Sequence, residues 1–168
     1  LYVGISKYPP AQAKIAYEML RAAGVPCLIS QYRYSMFDRT VEEKSLPLAA
    51  EQGSGFIAFS PLAQGLLTKK YLHGIPEHSR AARSTGFLKV DQVTEDKVGK
   101  ARRLDEIAAR RGQTLAEMAL AWVLKDERMT SVIVGTSSVK QLADNLHALD
   151  NLNFTNEELA EIEGILRL

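Results

Sequence analysis

Four short apolar segments of the chain are each followed directly by groups that can hydrogen-bond a ligand. These groups are Ser6 with Lys7, Gln31, Phe59 with Ser60, and Gly135 with the hydroxyl residues 136–138. In parallel α/β folds, ligands bind where the carboxyl ends of the strands meet. If each apolar segment is a strand, the spacing therefore predicts one polar site built from all four ends.

The last of these places has the composition of an anion site. Gly135 and three hydroxyl residues precede or open a helical pattern that starts at Ser138. The free N–H groups and the positive dipole end of a helix N-terminus favour an anion, and barrels often bind phosphate after their last two strands. Lys140 and Lys70 are cations that can add to such a site. Plain capping of the helix by Ser137 or Ser138 is an equally good interpretation.

Four side chains near these strand ends or in the long loop can be interpreted either as ligand contacts or as ordinary structural or surface residues. Phe59 at a strand end can stack on a flat heterocycle, although filling the core is the more common use of such a ring. Gln31 can bond an amide of a ligand or only nearby backbone. Lys70 and Arg80 lie in a long segment with several glycines and prolines, where solvated surface charge is the default and a phosphate contact is the alternative.

Several classes of site and partner are excluded by what the sequence lacks. It contains no Ser-His-Asp arrangement, no Walker motif and no zinc-ligand spacing, so the motifs predict no metal site. Cys27, the single cysteine, lies in an apolar run and is predicted to be buried and inert. With 21 basic and 20 acidic residues, nucleic acid is a poor partner. Without a membrane-spanning apolar run or a signal peptide, we expect no membrane association and a reducing, cytoplasmic setting.

The elements that must position these residues alternate along the chain. Apolar runs predict strands near 2–6, 27–31, 55–59 and 131–135. Helical spacing and capping signals predict helices over 10–23 and 41–52, and from 94, 114, 138 and 155 onward. On the first helix, Ile15, Met19 and Ala22 share one apolar face. Residues 60–93 lack strand character and are typical of a functional loop.

This alternation predicts an α/β fold with a parallel sheet. Four such strands alone leave two unpaired edges, which proteins usually cover. The chain also opens inside the first predicted strand. We therefore interpret residues 1–168 as the C-terminal half of a (β/α)8 TIM barrel whose upstream half is absent from this chain. An open doubly wound sheet is the alternative, and the lack of a Gly-x-Gly-x-x-Gly run weighs against it.

Four motifs in this order resemble the second half of the aldo-keto reductases. Residues 2–8 are similar to the family's strand-five segment, and Gln31 with Tyr32 and Tyr34 is similar to its strand-six segment. Residues 58–65, which contain Ser-Pro-Leu, resemble the strand-seven signature, and residues 134–145 resemble strand eight with its helix. Residues 74–80 and the long loop add a likeness to the subgroup of potassium-channel β subunits and glyceraldehyde-3-phosphate reductases.

The resemblance implies an NADP(H)-dependent reductase of aldehydes and ketones, with a small carbonyl compound as its substrate. It implies that Ser6, Lys7 and Gln31 hold the carboxamide side of the nicotinamide and that Phe59 stacks on the nicotinamide ring. The residues implied around the pyrophosphate are Ser60, Leu62, Gln64, Lys70 and Arg80. Those implied around the adenosine and its 2′-phosphate are Gly135, Ser137, Gln141, Asp144 and Asn145.

Departures from the family pattern leave some choices open. Lys7 stands where many members have Asn or Arg, and Gln141 where many have an Arg facing the 2′-phosphate, so NADPH and NADH both stay open. The family's catalytic Asp, Tyr, Lys and His belong to the first half of the barrel. We therefore assign no catalytic residue here and expect the segment alone to be inactive.

Two other functions also stay open. One is a nicotinamide-sensing regulatory subunit, such as that of a channel, with little or no turnover. The other is a phosphosugar isomerase or aldolase barrel, in which Lys7 is the single candidate base at a strand end. The oligomeric state is open as well, with a homo-oligomer among the options.

Overall fold

A computed structural model describes residues 2–82 and 87–168 and contains one parallel sheet. Its strands are β1 Val3–Ser6, β2 Cys27–Arg33, β3 Gly55–Phe59 and β4 Met129–Ile133, paired in that order. All three neighbouring pairs are parallel. The predicted α/β class is confirmed, and the sheet is consistent with part of a (β/α)8 barrel. Residues 83–86, inside the predicted long loop, lie outside the described residues.

The helices follow most of the predicted bounds. They are α1 Pro10–Ala22, α2 Ser45–Glu51, α3 Glu95–Arg110, α4 Leu115–Leu124, α5 Val139–Leu146 and α6 Asn156–Arg167. Shorter 3₁₀ helices span Ala63–Gly65, Lys69–Tyr71, Val90–Gln92 and His147–Asp150. The predicted caps Thr94, Ser138 and Thr155 each accept a backbone N–H of their helix. Across residues 2–82 and 87–168, no helix has the length and apolar character needed to cross a membrane.

The predicted start of the second helix is wrong. Helix α2 begins at Ser45, and residues 41–44 form turns. A helix from 41 would place Pro47 in its interior, where proline removes a backbone hydrogen bond and clashes with the preceding turn. A start at Ser45 places Pro47 in the first turn, where no intrahelical partner for its nitrogen is needed.

The fourth strand lies two residues earlier than predicted, at Met129–Ile133 instead of 131–135. Its pairing ends at Ile133 because the partner strand β3 ends at Phe59, the residue opposite. Val134 therefore separates the strand from Gly135, so the glycine-hydroxyl turn follows a short spacer and not the strand end itself.

The described residues form two compact units, and the first holds the sheet. This unit runs to Pro61 and includes Val123–Val134, and the second comprises Leu62–Trp122 and Gly135–Leu168. In the first unit, α1 and α2 pack on β2 and β3. One face of the sheet is buried, and its residues include Ile5, Ser30, Tyr32, Phe56 and Ala58. The rings of Tyr32 and Phe56 stack there with centroids 5.1 Å apart.

Hydrogen-bonded hydroxyls cross this buried face. The oxygens of Tyr17 and Ser30 lie 2.6 Å apart, and those of Ser30 and Ser54 lie 3.0 Å apart. Burial raises the pKa of Tyr17. Cys27 is buried, as predicted, with 6% of the residue exposed, and Ser54 Oγ lies 3.7 Å from its sulfur. The hydroxyls satisfy one another, which keeps the cost of burying them low.

The opposite face of the same sheet is partly or fully exposed. In-register pairing places on it Gly4, Ser6, Ile29, Gln31, Ile57, Phe59, Ser131 and Ile133, of which none is buried. Helix α1 also carries its apolar stripe on the exposed side, with Ile15 56% and Met19 68% exposed, while Ala13 and Tyr17 are buried. Parallel sheets in proteins are normally covered on both faces.

In the second unit, α3 packs against α6. Arg111, directly after α3, connects the two helices through an ion pair between its Nη1 and Glu158 Oε2 at 2.5 Å. Helix α5 presents an exposed apolar stripe that comprises Val139, Leu142, Leu146 and, in the following 3₁₀ turn, Leu149. The second unit therefore has a buried helical core and one apolar helix face in contact with solvent.

Candidate functional site

Three of the predicted site residues share the exposed face of the sheet, near the carboxyl ends of their strands. Ser6 is the register partner of Gln31, and Ile57 and Phe59 occupy the same face on β3. Ser6 Oγ donates a hydrogen bond to Gln31 Oε1 at 3.4 Å, and the Lys7 N–H donates to the Gln31 carbonyl at 3.0 Å. The first unit thus brings together a hydroxyl, an amide and a ring, the groups predicted to face a flat polar heterocycle.

The backbone around these residues is strained. Within the described part of the chain, the non-glycine residues with positive φ are Lys7 at 59°, Ser60 at 54°, Ala63 at 47° and Gln64 at 59°. Three of these four were predicted to contact a ligand. Such conformations cost about 1–3 kcal/mol each and cluster at ligand clamps. The strain therefore favours a binding role for the turns that follow β1 and β3.

A buried clamp fixes the segment that follows β2. Tyr34 is 1% exposed and donates its hydroxyl to Glu42 Oε1 at 2.8 Å. Arg39 holds the same carboxylate through Nε at 2.9 Å and Nη2 at 2.8 Å. Burial, together with the nearby carboxylate, raises the pKa of Tyr34 well above its ordinary value. The clamp therefore needs a protonated phenol, and it anchors the chain just beyond Gln31.

Alkaline pH should weaken the first unit through this phenol. Tyr34 stays protonated in the folded chain and ionises near pH 10.0 when unfolded, so its stabilisation is complete below that pH and is lost above it. The free energy of unfolding should fall above pH 10 with a contribution from Tyr34 of up to about 1.4 kcal/mol per pH unit. Denaturant titrations of the chain and its Tyr34→Phe variant measure this slope. An identical slope in both proteins would show that Tyr34 ionises normally when folded.

The loop after β3 begins the second unit with a tight turn. The Leu62 carbonyl accepts the N–H groups of Gly65 at 2.9 Å and Leu67 at 3.2 Å. Gly65 has φ +102°, and a Cβ there would lie 3.3 Å from the ring of Tyr71, so the turn requires glycine. Lys70 lies exposed in the next turn, with its N–H donated to Thr68 Oγ1. Leu62, Gln64 and Lys70 therefore share one compact loop.

Both interpretations of the glycine-hydroxyl turn find support at the start of α5. Ser138 Oγ accepts the Gln141 N–H at 3.2 Å, which is the plain cap. Gln141 Oε1 in turn accepts the Ser137 N–H at 2.9 Å and the Ser137 hydroxyl at 3.2 Å. Arg80 reaches this turn, since its Nη2 lies 3.7 Å from where a Cβ on Gly135 would be. An arginine beside a helix N-terminus is a favourable arrangement for a phosphate.

Two predicted residues of α5 differ sharply in environment. Asp144 accepts Lys140 Nζ at 2.8 and 2.9 Å, so the two charges offset each other at the surface. Asn145 is 8% exposed, and its Nδ2 has no hydrogen-bond partner within the described ranges. A buried amide without a partner is costly, and a ligand acceptor at this position would satisfy it. The unpartnered donor therefore marks Asn145 as a residue to test for contact with a ligand acceptor.

Sequence reasoning missed two residues of interest, Ala63 and Arg33. The positive φ of Ala63 left no signal in the sequence. Arg33 was overlooked because β2 was predicted to end at Gln31, whereas it continues to Arg33. Side chains alternate along a strand, so the longer strand puts Arg33 on the face of Gln31 and opposite Phe59. The described residues contain no cluster of acidic, His or Cys side chains able to hold a metal ion.

Comparison with known proteins agrees with these features. A model of the Aldo/keto reductase family matches residues 1–167. An L-glyceraldehyde 3-phosphate reductase of Escherichia coli O157:H7 is 47% identical over 167 residues, which cover 97% of this chain and 48% of that protein. The L-glyceraldehyde 3-phosphate reductase of Escherichia coli strain K12 is 46% identical with the same coverage. The chain spans about half the length of the curated relatives it matches.

Proposed function

Because the chain belongs to the aldo/keto reductase family, we propose that it supplies most of the cofactor site of a reductase that converts aldehydes or ketones to alcohols with NADPH. The observation that carries the proposal is the shared face of Ser6, Gln31 and Phe59, bordered by strained turns. NADPH supplies the hydride in such a reaction. The chain's contribution is to orient the cofactor, since correct placement of reacting groups accounts for much of an enzymatic rate.

We assign the orienting roles by the chemistry of each side chain. Ser6 and Gln31 offer a donor and an acceptor to the carboxamide, Lys7 flanks them, and Phe59 provides the ring surface. The loop with Ser60, Leu62, Gln64, Lys70 and Arg80 surrounds the pyrophosphate in this proposal. Gly135, Ser137, Gln141, Asp144 and Asn145 form the adenosine end. The unpartnered Asn145 amide supports the assignment of the adenosine end. The nearness of Arg80 to Gly135 supports the assignment of the pyrophosphate loop next to it.

The substrate in this proposal is a short phosphorylated aldehyde. Both named relatives are L-glyceraldehyde 3-phosphate reductases, at 47% and 46% identity. No finding favours the regulatory-subunit alternative, which stays a prediction. NADPH is the proposed cofactor, and the group of residues at the adenosine end, whose Gly135 lies near Arg80 Nη2, is the proposed place of its additional phosphate.

We further propose that residues 1–168 are the second half of one barrel and that a first half completes it and supplies the acid that protonates the alkoxide. Three features support this. The exposed sheet face carries Ile29, Ile57, Phe59 and Ile133. Among the residues that the structure describes, strands β1 and β4 end the sheet with unpaired edges, a liability that closure removes. The stripes on α1 and α5 are apolar and exposed.

A chimera tests the proposed function. In it, residues 1–168 replace the matching half of the Escherichia coli K12 reductase, so that the other half of that relative is retained. We expect NADPH oxidation that depends on an added aldehyde, a lower rate with NADH, and no turnover by residues 1–168 alone. Absorbance of the reduced nicotinamide follows the reaction. A folded chimera that binds NADPH but never consumes it would favour the regulatory alternative instead.

A further inference from the structure

The end of β2 places a cation beside the ring surface of the sheet. Arg33 is the last residue of β2 and is the register partner of Phe59. Neighbouring strands lie about 5 Å apart, so the two side chains leave the sheet side by side on one face. Gln31 precedes Arg33 on that face. Whatever stacks on Phe59 therefore has a guanidinium next to it.

The guanidinium of Arg33 retains free hydrogen-bonding capacity. Its Nε lies 3.3 Å from Asp38 Oδ2, and its side chain is 48% exposed. Within the described residues, neither of its Nη groups donates a hydrogen bond to the protein. Asp38 is itself held, because its Oδ1 accepts the Thr40 hydroxyl and its backbone bridges to Ser35. One carboxylate thus orients the arginine and leaves its Nη donors available to a ligand.

Arginine with outward donors is suited to an anion of planar or tetrahedral oxygens. A guanidinium binds a phosphate or carboxylate through two parallel hydrogen bonds, and such charge-assisted bonds are roughly twice as strong as neutral ones. A second anion near Arg33 would also compete with Asp38, the carboxylate already beside it. A ligand anion must therefore use the Nη groups, and a tetrahedral phosphate can accept hydrogen bonds from both of them while Asp38 keeps Nε.

We propose that Arg33 determines substrate specificity by binding the phosphate of a short phosphorylated aldehyde whose carbonyl lies over the ring held by Phe59. This inference rests on the proposed function and adds to it the residue that selects an anionic substrate. Arg33 is a binding residue and takes no part in proton or hydride transfer. The alternative partner of Arg33 is a phosphate of the cofactor. Kinetics with varied aldehyde and with varied NADPH distinguish the two.

The test compares glyceraldehyde 3-phosphate with glyceraldehyde in the chimera and in its Arg33→Met and Arg33→Lys variants. For Arg33→Met we expect KM for the phosphorylated aldehyde to rise roughly 10- to 100-fold, while kcat and KM for glyceraldehyde stay within about twofold. Arg33→Lys should recover part of the lost affinity for the phosphorylated aldehyde, because lysine restores the positive charge but not the two parallel N–H donors of a guanidinium. KM for NADPH should not change. If instead KM for NADPH rises and the two aldehydes are affected alike, Arg33 serves the cofactor and the inference is wrong.

The matched control is Arg128→Met. Arg128 also pairs with a single aspartate, Asp126, and its side chain is 42% exposed. It immediately precedes β4, at the opposite end of the parallel sheet from Arg33. If Arg33→Met alters the kinetics and Arg128→Met does not, the effect comes from the location of Arg33 and not from the loss of one positive charge. Equal effects in the two variants would contradict the proposal.

A binding measurement decides the question even without turnover. Isothermal titration of the chimera with glycerol 3-phosphate and with glycerol should show binding of the phosphate alone, weakened in Arg33→Met. Asp38→Asn should tighten it severalfold, because the competing carboxylate is removed. An inactive chimera that still shows this pattern overturns the proposed reductase activity but supports Arg33. If the chimera turns over both aldehydes and Arg33→Met leaves phosphate binding unchanged, the reductase activity is supported and the role of Arg33 is wrong.

Discussion

Replacement of Arg111 by methionine should lower the free energy of unfolding by about 2–3 kcal/mol, the largest effect that we expect from substituting a single charged residue in the second unit. The Arg111 side chain is 2% exposed and pairs with Glu158. Its guanidinium lies 3.8 Å above the Phe154 ring, and Nη2 donates to the Asn153 carbonyl at 2.9 Å. One side chain therefore holds the end of α3, the segment after α5 and the start of α6 together. Its removal leaves the Asn153 carbonyl without this donor and leaves Glu158, which is 26% exposed, with the Thr155 N–H as its remaining partner.

The neighbouring Arg110 provides the control for this prediction. Arg110 also reaches α6, through Glu161, but both of its ion-pair side chains are about half exposed, at 56% and 48%. Exposed pairs contribute about 0–1 kcal/mol, so Arg110→Met should hardly change stability. Denaturant unfolding followed by circular dichroism compares the two variants. Equal losses would mean that burial of Arg111 does not set its contribution.

The strands and their order were predictable because a buried parallel strand is a continuous apolar run. Residues 27–31 and 55–59 show this most directly, and the structure confirms both, with β2 two residues longer. The helix caps at Thr94, Ser138 and Thr155 were equally visible, since a hydroxyl at an N-cap has a local cause. Local signals thus sufficed wherever the deciding interaction lies within one turn or one strand.

Features that depend on partners distant in sequence were not predictable. The end of β4 is set by where β3 stops, which the residues of β4 do not encode. The stripe with Ile15 and Met19 has the spacing of a buried face, yet Ala13 and Tyr17 are the buried residues because Tyr17 bonds Ser30 of β2. Arg33 lay beyond the predicted strand, so its face could not be inferred. The strain at Lys7 and Ser60 is likewise a property of the folded backbone.

In the chimera, Phe59→Ala should lower kcat/KM for NADPH-dependent reduction by about 10- to 100-fold. The proposed role of Phe59 is to carry the nicotinamide on its ring, and stacking of a planar base on an aromatic side chain contributes about 1–3 kcal/mol. The ring leaves the sheet on its exposed face and is not fully buried by the protein, so part of its surface is available to a ligand. Steady-state kinetics with varied NADPH measure the loss.

Phe59→Tyr and Phe59→Trp distinguish stacking from packing. Both variants keep a flat aromatic surface and should retain most of the activity, whereas Phe59→Leu fills similar volume without a π face and should resemble alanine. Ile57→Ala is the matched control, because Ile57 is an apolar residue of the same strand and the same face, two positions earlier. Ile57→Ala should lower the thermal stability of the chimera and leave KM for NADPH nearly unchanged. If Phe59→Leu keeps full activity, the ring serves the sheet and not the cofactor, and the nicotinamide must be held by other residues.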